Sequence, residues 1–233
     1  MIYSKSKMKE ISFPLGGIGS GSIGLAGNGA LVDWEIFNRP NKGSKNGYSC
    51  FAIKASFPDG KVVTKILQGD HVKHFSGQYE KATTHNGFGY GPAGNTFAGF
   101  PHFKNVKFDG KFPIATLTFQ DDDFPATVEL LAFNPFIPLD ADRSSIPAAF
   151  FQIKIRSFYD NIKYTVVFSV ANPFIESVNC ELTNDQYTAV QMRYANKNIS
   201  DADYGDLTVA VDCPDGLYQE YWYRGRWRDG ITT

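Results

Sequence analysis

A chain of 233 residues, 42% hydrophobic and 20% charged, can close a sizeable core without staples and is not a disordered polymer. Its formal net charge of −1 gives no electrostatic reason to expect nucleic acid, whose binding rests on neutralising phosphates. The cysteines Cys50, Cys180 and Cys213 are odd in number and lack C-x-x-C spacing. They read as buried thiols of a reducing compartment, not as a disulfide frame or a metal site.

The chain opens with "MIYSKSKMKE", polar and lysine-rich, with no apolar run behind it. No secretory signal and no transmembrane segment is expected, and the default location is the cytoplasm. Residues 14–40 follow: "PLGGIGSGSIGLAGNGALVDWEIFNRP". Gly19, Gly21 and Gly24 match G-x-G-x-x-G, which in a dinucleotide enzyme follows a strand and opens a helix. Here Pro14 interrupts the run before the glycines. Gly27 and Gly29 would break a first helical turn, and "LVDWEIF" then looks like a strand. A nucleotide cofactor is set aside, and no cofactor is expected. The glycines read as a tight turn where two backbones approach closely.

Within this segment, "DWEIFNRP" combines Asp33, Trp34, Glu35, Asn38 and Arg39. Sugar sites favour such mixtures, with an aromatic face for the ring and polar groups for the hydroxyls. Trp34, Glu35, Asn38 and Arg39 are therefore candidate substrate-binding residues. The plainer alternative packs Trp34 and Phe37 in the core and pairs Glu35 with Arg39.

Strand signals dominate the remainder. "YSCFAIKASF" and "KVVTKIL" flank Pro58-Asp59-Gly60 and predict a hairpin. Histidines His71 and His74 lie in or after this strand region. Their spacing puts the two rings on opposite faces, and no metal site is expected. Residues 85–103, which include His85 and His102, are strand-poor and rich in Gly and Pro, and predict a long loop. "VKFDGKFPIATLTF" carries a turn signal at Asp109-Gly110, with Pro113 suited to an edge or a strand start. The run Asp121-Asp122-Asp123 reads as a solvated turn. "ATVELLAF" alternates as a strand, with Glu129 on either face. Asp140 and Asp142 beside Arg143 read as a local charge network or turn. "AAFFQIKIRSF" and "KYTVVFSVANPF" flank a short turn at Asp160-Asn161, and "YTAVQMRY" and "DLTVAVDC" complete the strands. No window sustains a helical repeat. The expected fold is all-β: a large two-sheet antiparallel β-sandwich, as a single domain over residues 1–233. The terminal Tyr221, Trp222, Tyr223, Arg224, Arg226, Trp227 and Arg228 suit an interface better than nucleic acid.

Two blocks carry a family resemblance. "FPLGGIGSGSIGLAGNGALVDWEIFNRP" resembles the opening of the N-terminal domain of glycoside hydrolase family 116, the family of the non-lysosomal glucosylceramidase and microbial β-glucosidases. "ELLAFNPFIPLDADRSSIPAAFFQIKI" resembles the segment "SPFIPL…SS.LP" of the same domain, with Asn134 where the family tends to have serine. Residues 96–128 resemble the portion linking them. The resemblance implies a β-sandwich that is followed, in the whole protein, by an (α/α)6 barrel supplying both catalytic carboxylates. It implies no catalytic residue in this chain, which is expected to be part of a longer retaining β-glycosidase. The implied partners are that C-terminal catalytic domain and, through the full-length enzyme, a β-glucoside or glucosylceramide-like substrate. The rival expectations are a free-standing carbohydrate-binding β-sandwich, soluble and monomeric alone, and a purely structural domain without sugar affinity.

Overall fold

A computed structural model describes residues 1–38, 40–70, 97 and 99–220. Arg39, His71, His74, His85, most of the glycine-rich stretch 85–103 and the aromatic–arginine run at 221–228 lie outside the described residues. The chain divides into two compact units, Met1–Ala171 and Asn172–Thr233.

The first unit runs β1 (Ile2–Ser4), β2 (Ser12–Leu15), β3 (Ser22–Ala26), β4 (Leu31–Glu35), β5 (Cys50–Ser56) and β6 (Val62–Ile66). It continues with β7 (Asn105–Lys111), β8 (Ile114–Gln120), β9 (Ala126–Phe133), a single helical turn α1 (Ala141–Ser144), β10 (Phe150–Ser157) and β11 (Lys163–Ser169). The strands pair antiparallel in one five-stranded sheet, β1-β7-β8-β9-β10, and two three-stranded sheets, β2-β3-β4 and β11-β5-β6. The expected all-β sandwich is what these strands build.

The core follows from period-two alternation. One face of the five-stranded sheet aligns Val106, Phe119, Val128 and Ile155 in one cross-strand row, and Phe108, Leu117, Leu130 and Ile153 in the next. Phe108, Phe119, Leu117, Val128 and Leu130 are fully buried. Each such side chain contributes about 1.5–3 kcal/mol by leaving water. The two smaller sheets cover this face. Phe13 of β2 meets Phe108 at 6.4 Å between ring centroids, and Phe51 of β5 meets Phe151 at 5.0 Å.

Two pairings differ from the sequence expectation. The β7–β8 turn falls at Phe112-Pro113, not at Asp109-Gly110. A turn at 109–110 would set Phe108 opposite Lys111; the observed register sets it opposite Leu117. Gly110 has another task, because a Cβ there would come within 2.8 Å of the Phe108 ring. The second difference is at Asp160-Asn161. The turn is present, but its flanking strands do not pair with each other: β10 pairs with β9 and β11 with β5. The chain changes sheets there.

The Pro58-Asp59-Gly60 hairpin is as expected. Phe57 N–H donates to Lys61 carbonyl (2.8 Å), and the Asp59 carboxylate accepts from Lys61 N–H (2.9 Å). The cysteines correct an expectation in part. Cys50 is buried, which pushes its thiol up to about 12, but Cys180 and Cys213 are only half-buried; all three are free.

The second unit holds β12 (Ser177–Glu181), β13 (Thr188–Tyr194) and β14 (Asp206–Val211) as one antiparallel sheet in that order. Phe174 packs on Tyr194 at 4.9 Å, and Lys197 stands 4.0 Å over the same tyrosine ring while pairing with Asp203. These contacts fold the long β13–β14 connection back onto its own sheet.

Candidate functional site

The glycine-rich segment forms β2, β3, β4 and their turns. Gly24 sits inside β3, opposite Pro14. Strands stand where a dinucleotide loop needs a helix. Pro14 is tolerated because β2 is an edge strand of its sheet. Close backbone approach is what the glycines permit. A Cβ on Gly16 (φ +136°) would lie 2.4 Å from the Gly21 carbonyl oxygen, and one on Gly29 (φ +94°) 2.4 Å from that of Leu67.

The two blocks that carry the family resemblance meet here. The buried Asn134 side chain accepts from Gly16 N–H (2.7 Å) and donates to the Pro14 carbonyl (2.7 Å). Ile18 N–H donates to the Ser144 carbonyl (2.8 Å), and a Cβ on Gly17 would meet the Ser145 oxygen at 2.3 Å. The Ser144 hydroxyl is itself bonded to the N–H and carbonyl of Ile137, both at 3.0 Å. Asp140 caps α1 through Arg143 N–H (2.9 Å) and pairs with the Arg143 guanidinium (2.5 Å), the local network expected of that run. The result is a clamp made of neutral hydrogen bonds and glycine contacts. Beside it lies a shallow cavity of about 110 Å³ lined by Gly17, Ile18, Phe112, Asn134, Phe136 and others.

The "DWEIFN" residues form a bulge at the end of β4. The β3–β4 register slips between Ser22 and Gly24, and Asp33 takes a left-handed φ of +50°. Its carboxylate accepts from Ser12 Oγ and Gly43 N–H, each at 2.6 Å. Trp34 is 5% exposed. Its backbone N–H donates to Ser44 Oγ (2.8 Å) and its carbonyl accepts from Asn41 Nδ2 (3.0 Å), but its indole Nε1–H has no hydrogen-bond partner among the described residues. Glu35 pairs with Lys42 Nζ at 2.8 Å and accepts from Asn41 N–H at 3.2 Å. The Lys42 bond comes first among the causes that hold the Glu35 carboxyl below its usual range; the same bond raises Lys42. Asn38 is exposed, with φ +52°.

Of the four candidates, then, Trp34 is buried, Glu35 is half-buried and paired with Lys42, Asn38 is exposed, and Arg39 lies outside the described residues. Trp34 packs inside, whereas Phe37 is exposed. Among the described residues the partner of Glu35 is Lys42. Sequence reasoning missed Asn41, Lys42 and Ser44. Their signal was the polar "NKGS" directly after Pro40, ordinary turn chemistry that folds back onto β4.

The acidic run also departs from expectation at one residue. Asp122 and Asp123 are exposed, but Asp121 is buried. Its Oδ2 lies 2.6 Å from Nζ of the buried Lys65, which also reaches Asp123 (2.7 Å) and the His102 carbonyl (3.0 Å). Burial opposes the charge on both groups, yet their mutual hydrogen bond prevails: Asp121 is lowered and Lys65 raised. Glu129 pairs with Arg156, diagonally across from it on β10, at 3.2 Å. Among the described residues, no group of three His, Cys, Asp or Glu side chains could hold a metal ion, and no helix is long and apolar enough to cross a membrane.

Antiparallel layers joined by a glycine-and-amide clamp define an all-β sandwich domain. The family model of beta-glucosidase 2, glycosyl-hydrolase family 116 N-term, matches residues 12–228, and the chain belongs to that family. A search of curated proteins found no match. The matched span contains both sequence blocks and the clamp they build.

Proposed function

We propose that this chain is the non-catalytic N-terminal sandwich of a retaining β-glucosidase or glucosylceramidase, and that it packs against the catalytic domain of the same cytoplasmic protein. The match over residues 12–228 carries this reading. Retaining hydrolysis needs two carboxyl groups about 5–5.5 Å apart, and the reading assigns both to the catalytic domain. The surface around the clamp supports packing. Ile18, Phe112, Phe136, Leu139 and Ile146 are all exposed, and the Phe112 and Phe136 rings meet edge to face at 5.4 Å. A loop pinned this firmly that still turns apolar side chains outward fits an interaction surface.

The same reading sets Trp34, Glu35, Asn38 and Arg39 at the mouth of the active site of the full enzyme, toward a β-glucoside or glucosylceramide-like substrate. The buried indole N–H of Trp34, which has no acceptor among the described residues, supports it, because a buried donor of this kind calls for a partner and a sugar hydroxyl is one. In the full-length enzyme, Trp34→Phe and Arg39→Ala should each raise KM for an aryl β-glucoside several-fold while kcat changes less. Unchanged kinetics in stably folded variants would remove the entrance role and leave the packing role standing.

A further inference from the structure

The turn entering α1 holds a leucine where leucine is costly. Asp140 N–H donates to the Ile137 carbonyl (3.1 Å) and closes the four-residue turn Ile137-Pro138-Leu139-Asp140. Proline stands second, and Leu139, third, has a left-handed φ of +66°. A turn of this kind calls for glycine or asparagine third, because a Cβ crowds the following carbonyl. Burial does not offset the strain, since Leu139 is fully exposed, at 108%. Yet the turn is held firmly. Ser144 Oγ accepts from the N–H of Ile137 and donates to its carbonyl, Asp140 caps α1 and pairs with Arg143, and the Ser144 carbonyl accepts from Ile18 N–H in the clamp. These bonds fix the backbone on either side of Leu139 and leave its side chain standing outward.

We infer that Leu139 is an anchor side chain, held in advance for insertion into an apolar recess of the catalytic domain of the same protein. This rests on the packing part of the proposed function and names the residue on which the packing turns. Glycine at this position would remove both the strain and the exposed apolar surface. Leucine is worth its place only where something outside this chain buries it. Strained backbone persists where its surroundings over-determine it, and it collects at sites that engage a partner. A side chain on a backbone already fixed also loses little freedom on docking, which favours association. The occupant follows from the setting. Ile18, Phe136 and Ile146, all exposed, adjoin the turn in the surface assigned above to domain packing. Asp140 and Arg143 neutralise each other beside it, so the partner surface met here is apolar rather than charged. The turn lies within residues 12–228, matched by a family model of the N-terminal part of a hydrolase, and the part that follows is a partner joined to this chain. Leu217 makes the contrast. It is as exposed as Leu139, at 100%, but its φ is not left-handed.

Leu139→Asn tests it, because asparagine accepts the left-handed φ but cannot fill an apolar recess. In the 233-residue chain the substitution relieves strain and should raise the folding equilibrium constant in urea about fivefold. In the full-length protein it should act in the opposite sense. Hydrogen-exchange protection at Ile18 and Asp140, whose amides hold the turn, should fall about tenfold or more, the worth of one buried leucine side chain. Leu217→Asn should produce no such opposition. Effects of the same sign in the chain and in the full-length protein would overturn the anchor. So would a full-length effect that varies with protein concentration, since the recess would then belong to a second copy. Turnover of an aryl β-glucoside by the unsubstituted full-length protein is read separately. Opposed signs in an inactive protein would end the hydrolase reading and keep the anchor; equal signs in an active one would end the anchor and keep the hydrolase.

Discussion

The sandwich is joined at two places by opposite chemistries. At the Gly16–Asn134 clamp the groups are neutral: two amide hydrogen bonds at 2.7 Å and backbones brought into contact at glycine. At the Lys65–Asp121 knot they are charged, both partners are buried, and the ammonium is shared among two carboxylates and a carbonyl. Both join elements far apart in sequence. The clamp depends on shape, so its strength should be indifferent to pH. The knot is a charge taken out of water, tolerable only while every partner remains. Two junctions of similar structural importance should therefore fail under different conditions.

The largest effect is expected at the knot. Lys65→Met removes the buried counter-ion of Asp121, leaving it the exposed Lys104 Nζ at 3.7 Å, and should cost about 3–5 kcal/mol in urea denaturation at pH 7. Adding Asp121→Leu should recover most of the loss, because an apolar pair of similar volume replaces the ions without stranding either. The sign with pH follows from the shifts. Asp121 is lowered in the folded state, so its contribution is present above the unfolded value of about 3.9 and is lost as pH falls through the folded value. Lys65 is raised, so its contribution is present below about 10.4 and is lost as pH rises past the folded value. The gap between the parent chain and Lys65→Met should shrink in strong acid and strong alkali. A gap constant across the whole range would mean that the pair is not what joins the layers there.

Next comes the clamp. Asn134→Ala strands Gly16 N–H and the Pro14 carbonyl, at about 2–3 kcal/mol. That loss should be the same at pH 5 and pH 9. A strong pH dependence would break the contrast with the knot. A smaller effect is expected at Trp34. Trp34→Phe removes an N–H that has no acceptor among the described residues and should cost about 1 kcal/mol or less in the unliganded protein. A large cost for the phenylalanine variant would mean that the indole N–H has a partner. The smallest effect is at the rim. Lys42→Ala breaks the exposed bond to Glu35 and should leave the denaturation midpoint unchanged, as exposed pairs generally do.

What could be read in advance divides along the range of the forces. Alternation marked β9 and turn chemistry marked the β5–β6 hairpin, because both signals are written locally. The glycine segment was readable as a place of close backbone approach for the same reason. Strand pairing was less legible. β10 and β11 flank a short turn yet join different sheets, since each is claimed by a distant partner, β9 and β5. Asp109-Gly110 has turn chemistry, but the apolar rows on β7 and β8 set a register that leaves the turn three residues further on. Asp121 looked like its exposed neighbours, because nothing local announces that Lys65 will be buried against it. At the candidate site, Trp34 and Glu35 were legible as residue types. The loop supplying Asn41, Lys42 and Ser44 was not, because its role depends on folding back across the Asp33 bulge.

The most direct test is an assay of β-glucoside hydrolysis by this 233-residue chain, alone and within the full-length protein. The account predicts no turnover by the chain alone, and turnover once the proposed catalytic domain is present. Sustained hydrolysis by the isolated chain, abolished by changing a carboxylate within it, would contradict the account.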